Sequence, residues 1–304
     1  MVDRIVFLLR RDNALFRKAR DAKRLPNIFL ATVMHLVFMV AGLGITLLSL
    51  VLFLGDWGSA QSALQESGGF LAAFAGMIVA LFVWVRCFEK RTLRSIGLEG
   101  PRILPKYLSG FGIGALMLML VVGLMFFSGN VVTDHNGPGS VGGAAVLAAT
   151  LLGLLAWVVQ GGTEEVITRG WYMGVLGARY GPWVGVTAST LLFAILHLTA
   201  NPVAVLNLSL FGLFLALYCL REGSVWGVCG WHSAWNLTQV KVFGLAVSGR
   251  NVQGGALMDL KAEGNPYLSG GDFGPEGSVY ATLIFVVGIA VVLLLTKAEA
   301  PATR

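Results

Sequence analysis

Glu164, Glu165 and Arg169 lie in a stretch of chain that is otherwise soluble in lipid. Leu151–Val159 is apolar throughout, and the segment continues Gln160-Gly161-Gly162-Thr163-Glu164-Glu165-Val166-Ile167-Thr168-Arg169-Gly170. Ionisable groups are costly at that depth in a bilayer. They face a bundle interior or a water-filled cavity, and they mark function. A chain that carries them must therefore supply further apolar helices to enclose them.

Composition agrees. Of 304 residues, 56% are hydrophobic and only 12% are charged, with a mean hydropathy of +0.76. Soluble domains carry about 25% charged residues, so this is a polytopic membrane protein rather than a large soluble core. Gly is abundant at 40 residues, which suits close helix packing in lipid. The net charge of +6 does not point to nucleic acid, because the basic residues cluster in short loops between apolar runs, where topology explains them. Cys87, Cys219 and Cys229 lie in or beside apolar runs, and they form neither a disulfide framework nor a CxxC pair.

A spanning helix needs about 20 mostly apolar residues. This gives an all-α bundle of about eight transmembrane helices, at 28–54, 69–88, 107–128, 145–172, 183–200, 203–220, 224–244 and 279–296. Loop 89–106 holds Lys90, Arg91, Arg94, Arg102 and Lys106, whereas loops 55–68 and 129–144 hold no Lys or Arg. That alternation predicts both termini in the cytoplasm and a multi-pass protein of the cell membrane. Residues 1–26 combine eight Lys or Arg with apolar Val6–Leu9, Leu15 and Phe16. They read either as an amphipathic helix on the inner leaflet or as a solvated basic tail. The transmembrane domain is expected over 27–298, with a catalytic core at 145–245 and a tail at 299–304. Segment 245–278, rich in Gly and polar residues, reads as a solvated connection.

Three patterns fall on successive helices: Glu164-Glu165-x-x-x-Arg169, Phe193-x-x-x-His197 and His232-x-x-x-Asn236. Residues four apart share a helix face. Glu165 and Arg169 are thus expected to pair along their own helix, while Glu164 points about 100° away. Glu164 is the candidate base and His197 a proton relay, with Phe193 packed beneath the His197 ring. His232 and Asn236 suit hydrogen bonding to a developing oxyanion. Together the set describes attack of activated water on a carbonyl.

The three patterns, in this order, resemble the CPBP family of intramembrane proteases. That family includes CAAX prenyl endopeptidases of the Ras-converting type and bacterial members linked to bacteriocin processing and immunity. The resemblance covers roughly 145–245, including the flanks Gly170-Trp171-Tyr172 and Phe193–Leu198. It implies catalytic roles for Glu164, His197, His232 and Asn236, and support from Glu165 and Arg169. It also implies a cavity opening toward the cytoplasmic side, and a peptide or membrane-protein substrate that is lipidated in some members.

Rival readings use the same residues. Zinc held by Glu164, His197 and His232 would form a His₂Glu set, although HExxH is absent. Cys229, three residues before His232, could serve as a nucleophile, but it would leave Glu164 and Asn236 without work. The alternative class is a transporter or an immunity-type binding protein with the same polar cavity. Intramembrane Glu and His also build proton relays, but the inverted repeats expected of a transporter are absent. His35 reads as a packed core residue, and His135 as a solvated loop residue.

Overall fold

The computed structural model describes residues 1–52, 59–134, 144–250 and 256–296. His135 and the tail 299–304 lie outside the described residues. Among the described residues the fold is all-α apart from one short strand pair. Helices α1 (Val2–Leu8) and α2 (Ala14–Ala19) precede α3 (Ile28–Leu52), α4 (Ser59–Cys87) and α5 (Ile103–Phe127). After strand β1 (Val131–Thr133) come α6 (Ala144–Glu165), a π-helical segment Val166–Tyr172, α7 (Met173–Tyr180), α8 (Pro182–Leu196) and α9 (Pro202–Glu222). Then follow α10 (Trp226–Leu237), a second π-helical segment Thr238–Val242, strand β2 (Leu260–Ala262), α11 (Pro266–Ser269) and α12 (Val279–Leu295).

Each apolar segment expected from the sequence contains a helix. Among the described residues, four helices are long and apolar enough to cross a membrane: Ile28–Leu48, Ser67–Cys87, Ile103–Phe127 and Pro202–Glu222. Pro182–Leu196 and Val279–Leu295 are shorter apolar helices. Large apolar side chains face outward along these helices, among them Val40, Val83, Leu104, Leu120, Val286 and Leu294. That is the surface of a protein solvated by lipid, where apolar residues need not be hidden.

With no hydrophobic drive between helices in lipid, close backbone approach through small residues takes over. Gly110 and Gly114 of α5 form such a stripe. A Cβ at either would run into the backbone carbonyl of Gly227 or Trp231, and one at Gly230 would meet that of Tyr107. Gly161 of α6 likewise fits against the backbone of His232 and Ser233. Helix α10 is thus clasped between α5 and α6 by glycine contacts, which sets the depth and rotation of His232 and Asn236.

The N-terminal segment is two short helices rather than one, and it is not a solvated tail. Leu8, Leu15, Phe16 and Ala19 are buried in the main core. Asn13 donates to the Leu220 carbonyl at 3.0 Å, Arg4 to the Leu293 carbonyl at 3.2 Å, and Lys18 pairs with Glu99 at 2.8 Å. These contacts, with Arg221 donating to the Leu295 carbonyl at 3.2 Å, gather most of the basic residues at one end of the bundle.

The opposite end corrects the reading of 245–278 as a solvated connection. Leu245, Val247, Leu260, Ser269, Phe273 and Glu276 are buried there. β2 pairs antiparallel with β1, Val131 facing Ala262. Asn207 of α9 donates to the Glu276 and Ser278 carbonyls, both at 2.7 Å, tying this cap to α9 and α12. Glycine and polar composition signals turns, but here the turns are satisfied by buried side-chain partners.

Gly114→Val should lower stability by about 2 kcal/mol or more, because a branched side chain would have to push α5 off α10. Gly112→Ala, with no atom within 4 Å of the added carbon, should be nearly silent. Thermal unfolding of the two variants in one detergent checks the contrast.

Candidate active site

Buried charge organises the site. Glu165 and Arg169 are both fully buried, and Arg169 donates from Nη1 to Glu165 Oε1 at 2.8 Å. The same oxygen lies 2.9 Å from His232 Nδ1. A carboxylate only accepts, so the His232 Nδ1–H donates to it. This fixes the imidazole plane and turns Nε2 toward Glu164, whose Oε2 lies 3.9 Å away. Glu164 has no other ion pair among the described residues, and its side chain remains 23% exposed. The two neighbouring glutamates are therefore separated as their helical angle predicts, one locked in protein and one facing open space.

His197 caps the C-terminal end of α8. Its Nδ1 lies 2.8 Å from the Phe193 carbonyl, which can only accept, so Nδ1 carries the proton and Nε2 presents a lone pair. The Phe193 ring packs against the His197 ring with centroids 4.6 Å apart. Phe193 also stacks on Phe211 at 5.1 Å and receives the Arg169 guanidinium over its face at 4.5 Å. The side chain expected to support His197 thus also covers the buried ion pair. The depth of His197 follows from helix length. α8 has 15 residues, about 22 Å, which falls short of the roughly 30 Å hydrocarbon thickness. The chain turns back at Leu198–Asn201, and the Asn201 side chain caps α9 at Val203 and Ala204.

These groups meet at a cavity of about 790 Å³, whose lining includes Glu164, His197, His232 and Asn236. Asn236 donates one amide hydrogen to Gln160 Oε1 at 2.8 Å, which leaves its second free. Gln160, Glu164, Ile167 and Thr168 form one wall stripe on α6 and the π-helical turn that follows. His35, Met39, Leu43 and Thr46 of α3 form the facing one.

Trp171 and Tyr172 are buried next to one another, with Tyr172 edge-on to His35 of the cavity wall and hydrogen-bonded to Thr32 of α3 at 2.7 Å. Below them Glu89, fully buried, accepts from Trp171 at 2.6 Å, Trp84 at 2.9 Å and Arg91 at 2.6 Å. At the other end the lining reaches Gly69, Phe70, Val247, Ser248 and exposed Arg250. Leu43 and Leu198, 58% and 89% exposed, flank a lateral opening between α3 and the turn after α8.

Residues 145–238 match a protein-family model described as type II CAAX prenyl endopeptidase Rce1-like. No curated protein and no solved structure matches the chain. The matched segment runs from α6 through α10 and carries Glu164, Glu165, Arg169, Phe193, His197, His232 and Asn236. It agrees with the resemblance read from the three motifs.

Other expectations fare differently. Among the described residues, no group of three or more His, Cys, Asp or Glu side chains stands gathered as metal ligands. Cys229 does not line the cavity. Its thiol donates to the Gly162 carbonyl at 3.6 Å, on the α6 side of α10. His35 is buried as expected, but it also lines the cavity, edge-on to Tyr172 at 5.6 Å.

The matched segment also has partners that motif reasoning missed. Gln160 is one, and its position four residues before Glu164 was a usable signal. Gln239, one turn past Asn236, is another. Its amide donates to Glu276 Oε2 at 2.7 Å and to the Ala246 carbonyl, and Trp235 donates to Glu276 Oε1 at 3.4 Å. This clamp joins α10 and the π-helical turn after it to the cap, and local sequence gives no hint of it.

Burial pushes the Glu276 carboxyl up from 4.5 to about 7, against the hydrogen bonds from Gln239 and Trp235. The folded state then binds a proton that the unfolded chain releases, so stability is greatest at low pH and falls as pH rises through that interval. The melting temperature should drop between about pH 4.5 and 7 and flatten in Glu276→Gln. A pH series of thermal melts for both proteins checks this.

Proposed function

We propose that the protein is an intramembrane endopeptidase, similar to CAAX prenyl proteases, that hydrolyses a peptide bond near the membrane with water activated by Glu164. The observation that carries this reading is the presence of Glu164, His197, His232 and Asn236 on the walls of one cavity, within the segment that matches the endopeptidase family. A proton path would use the Glu and His residues but has no work for a paired amide donor. Asn236, held by Gln160 with one hydrogen to spare, suits an oxyanion.

The chemistry follows from the hydrogen-bond roles. Glu164 takes a proton from water as the oxygen bonds to the scissile carbonyl carbon. The carbonyl oxygen becomes negative and receives hydrogen bonds from Asn236 Nδ2 and from a protonated His232 Nε2, whose charge the oxyanion balances. Collapse of the tetrahedral species breaks the carbon–nitrogen bond. The proton held by Glu164 passes through the His197 Nε2 lone pair to the leaving amine. Arg169 and Phe193 touch no reacting atom. They hold Glu165 and the two imidazoles in place.

In our reading the eight apolar segments cross the cell membrane, within a transmembrane domain 27–298 built on the 145–245 core. The basic end, which holds the N-terminal helices and the close of α12, faces the cytoplasm. The cavity then opens into the bilayer and toward its outer half. Its lateral opening at Leu43 and Leu198 suits a substrate that stays in lipid, such as a membrane protein or a lipidated peptide.

Glu164→Gln should reduce cleavage of a membrane-bound peptide by about 10²-fold or more without a change in thermal stability, the range expected for loss of a general base. Glu165→Gln should lower stability as well, because it leaves Arg169 with a weakened partner in a dry site. Full activity in Glu164→Gln would remove that residue from the base role.

A further inference from the structure

We infer that His35 hydrogen-bonds the backbone of the bound peptide close to the scissile bond, an inference that rests on the hydrolase reading above. His35 is only 5% exposed. Among the described residues neither of its ring nitrogens has a hydrogen-bond partner, and Nδ1 is buried. Buried polar groups are otherwise paired, and each exception calls for an explanation. A side chain kept here for packing alone would do better as Phe or Met, because an unsatisfied buried polar group costs stability.

The face of α3 that carries His35 is the cavity face. His35, Met39, Leu43 and Thr46 all line the cavity, and their spacing of four, four and three keeps them on one side of the helix. Among the described residues, His35 is the one ionisable side chain on the α3 and α4 side of the cavity. Tyr172 meets the imidazole edge-on, with ring centroids 5.6 Å apart and planes at 80°. The Tyr172 hydroxyl is held at 2.7 Å by Thr32, one turn before His35. Packing thus fixes the ring and leaves its hydrogen-bonding capacity unused.

Tyr172 and Arg169 also set the position of His35 along the site. Both belong to the π-helical turn that follows Glu164 and Glu165, and the Arg169 guanidinium is close enough to His35 to act on it electrostatically. Arg169 pairs with Glu165 at 2.8 Å, and Glu165 holds the His232 ring whose other nitrogen is 3.9 Å from Glu164. His35 therefore faces the wall of Glu164 and Thr168 from across the cavity, about one turn beyond Glu164. One turn is about 5.4 Å, and an extended chain advances roughly 3.3 Å per residue. A peptide cut at Glu164 thus brings a backbone amide one or two residues from the scissile bond to His35. A peptide group offers one donor and one acceptor, and a neutral imidazole offers the same pair. The wall around His35 is apolar, with Met39, Phe74 and Met77. Without the imidazole, that amide would lie unpaired in a dry surrounding.

The test uses the full chain carrying Glu164→Gln, in a neutral detergent. The probes are a fluorescent prenylated CAAX peptide and a set of its analogues, each with one backbone amide replaced by an ester. An ester removes the N–H and weakens the carbonyl as an acceptor. Adding His35→Phe keeps a ring against Tyr172 but removes both hydrogen-bonding atoms. It should weaken binding of the parent peptide roughly fivefold or more, the range for one hydrogen bond, with a melting temperature equal to or above that of the protein with His35. One ester should bind roughly fivefold worse than the parent peptide when His35 is present and equally well in His35→Phe. His35→Gln, which can donate and accept, should recover part of the affinity and part of that ester penalty. Unchanged binding in His35→Phe, no binding of the parent peptide to the protein with His35, or ester penalties that all persist in His35→Phe would overturn the inference. Cleavage is read separately on the protein with Glu164 intact. Affinity that depends on His35 with no cleavage would leave His35 in its role and count against the hydrolase reading alone.

Discussion

The Glu165 carboxylate, shared between Arg169 and His232, is the interaction on which the rest of the site depends. An isolated charge is prohibitively costly in a low-dielectric interior, and removing one member of a buried pair typically costs about 3–5 kcal/mol. One oxygen of Glu165 accepts from both partners, at 2.8 and 2.9 Å. The ion pair that makes a buried charge tolerable thus also orients an imidazole on another helix. Glu164 is left free to face the cavity because its neighbour has taken the structural role. A single carboxylate could not satisfy Arg169 and also accept a proton from water.

The same economy recurs elsewhere in the bundle. Glu89 gathers Arg91 and two indole donors at the basic end. Glu276 gathers Gln239 and Trp235 at the other. Each buried carboxylate is a node where separate elements converge on hydrogen bonds that are hard to replace in a dry surrounding. Between these nodes, glycine contacts at Gly110, Gly114, Gly161 and Gly230 let backbones touch. Such contacts fix helix depth without the directional pull of buried apolar area, which lipid does not supply. The cavity lies between α3 and α4 on one side and the helices that carry Glu164, His197 and His232 on the other.

Much of this was legible in sequence because it is local. Apolar length placed the helices, and spacing of four placed Glu165 with Arg169, Phe193 with His197 and His232 with Asn236. The break at Asn201-Pro202 marked the end of the short helix that brings His197 to depth. What was not legible is contact between distant segments. The cap at 256–278 has the composition of a solvated loop, yet Asn207, seventy residues away in sequence, satisfies its backbone. The N-terminal helices carry so many charges that their apolar side, Leu8, Leu15 and Phe16, looked too small to dock. It docks because the ends of α9 and α12 offer carbonyl acceptors to Asn13 and Arg4.

The ring nitrogens of His232 give the most direct test of the shared-carboxylate account. Nitrogen-15 magnetic resonance of histidine-labelled protein, with His232 assigned by substitution, reads which nitrogen carries a proton and how strongly it is hydrogen-bonded. The account predicts a protonated, hydrogen-bonded Nδ1 in the native protein, retained when Glu164 becomes Gln and altered when Glu165 does. An Nδ1 without a proton in the native protein, or one indifferent to Glu165→Gln, would contradict it.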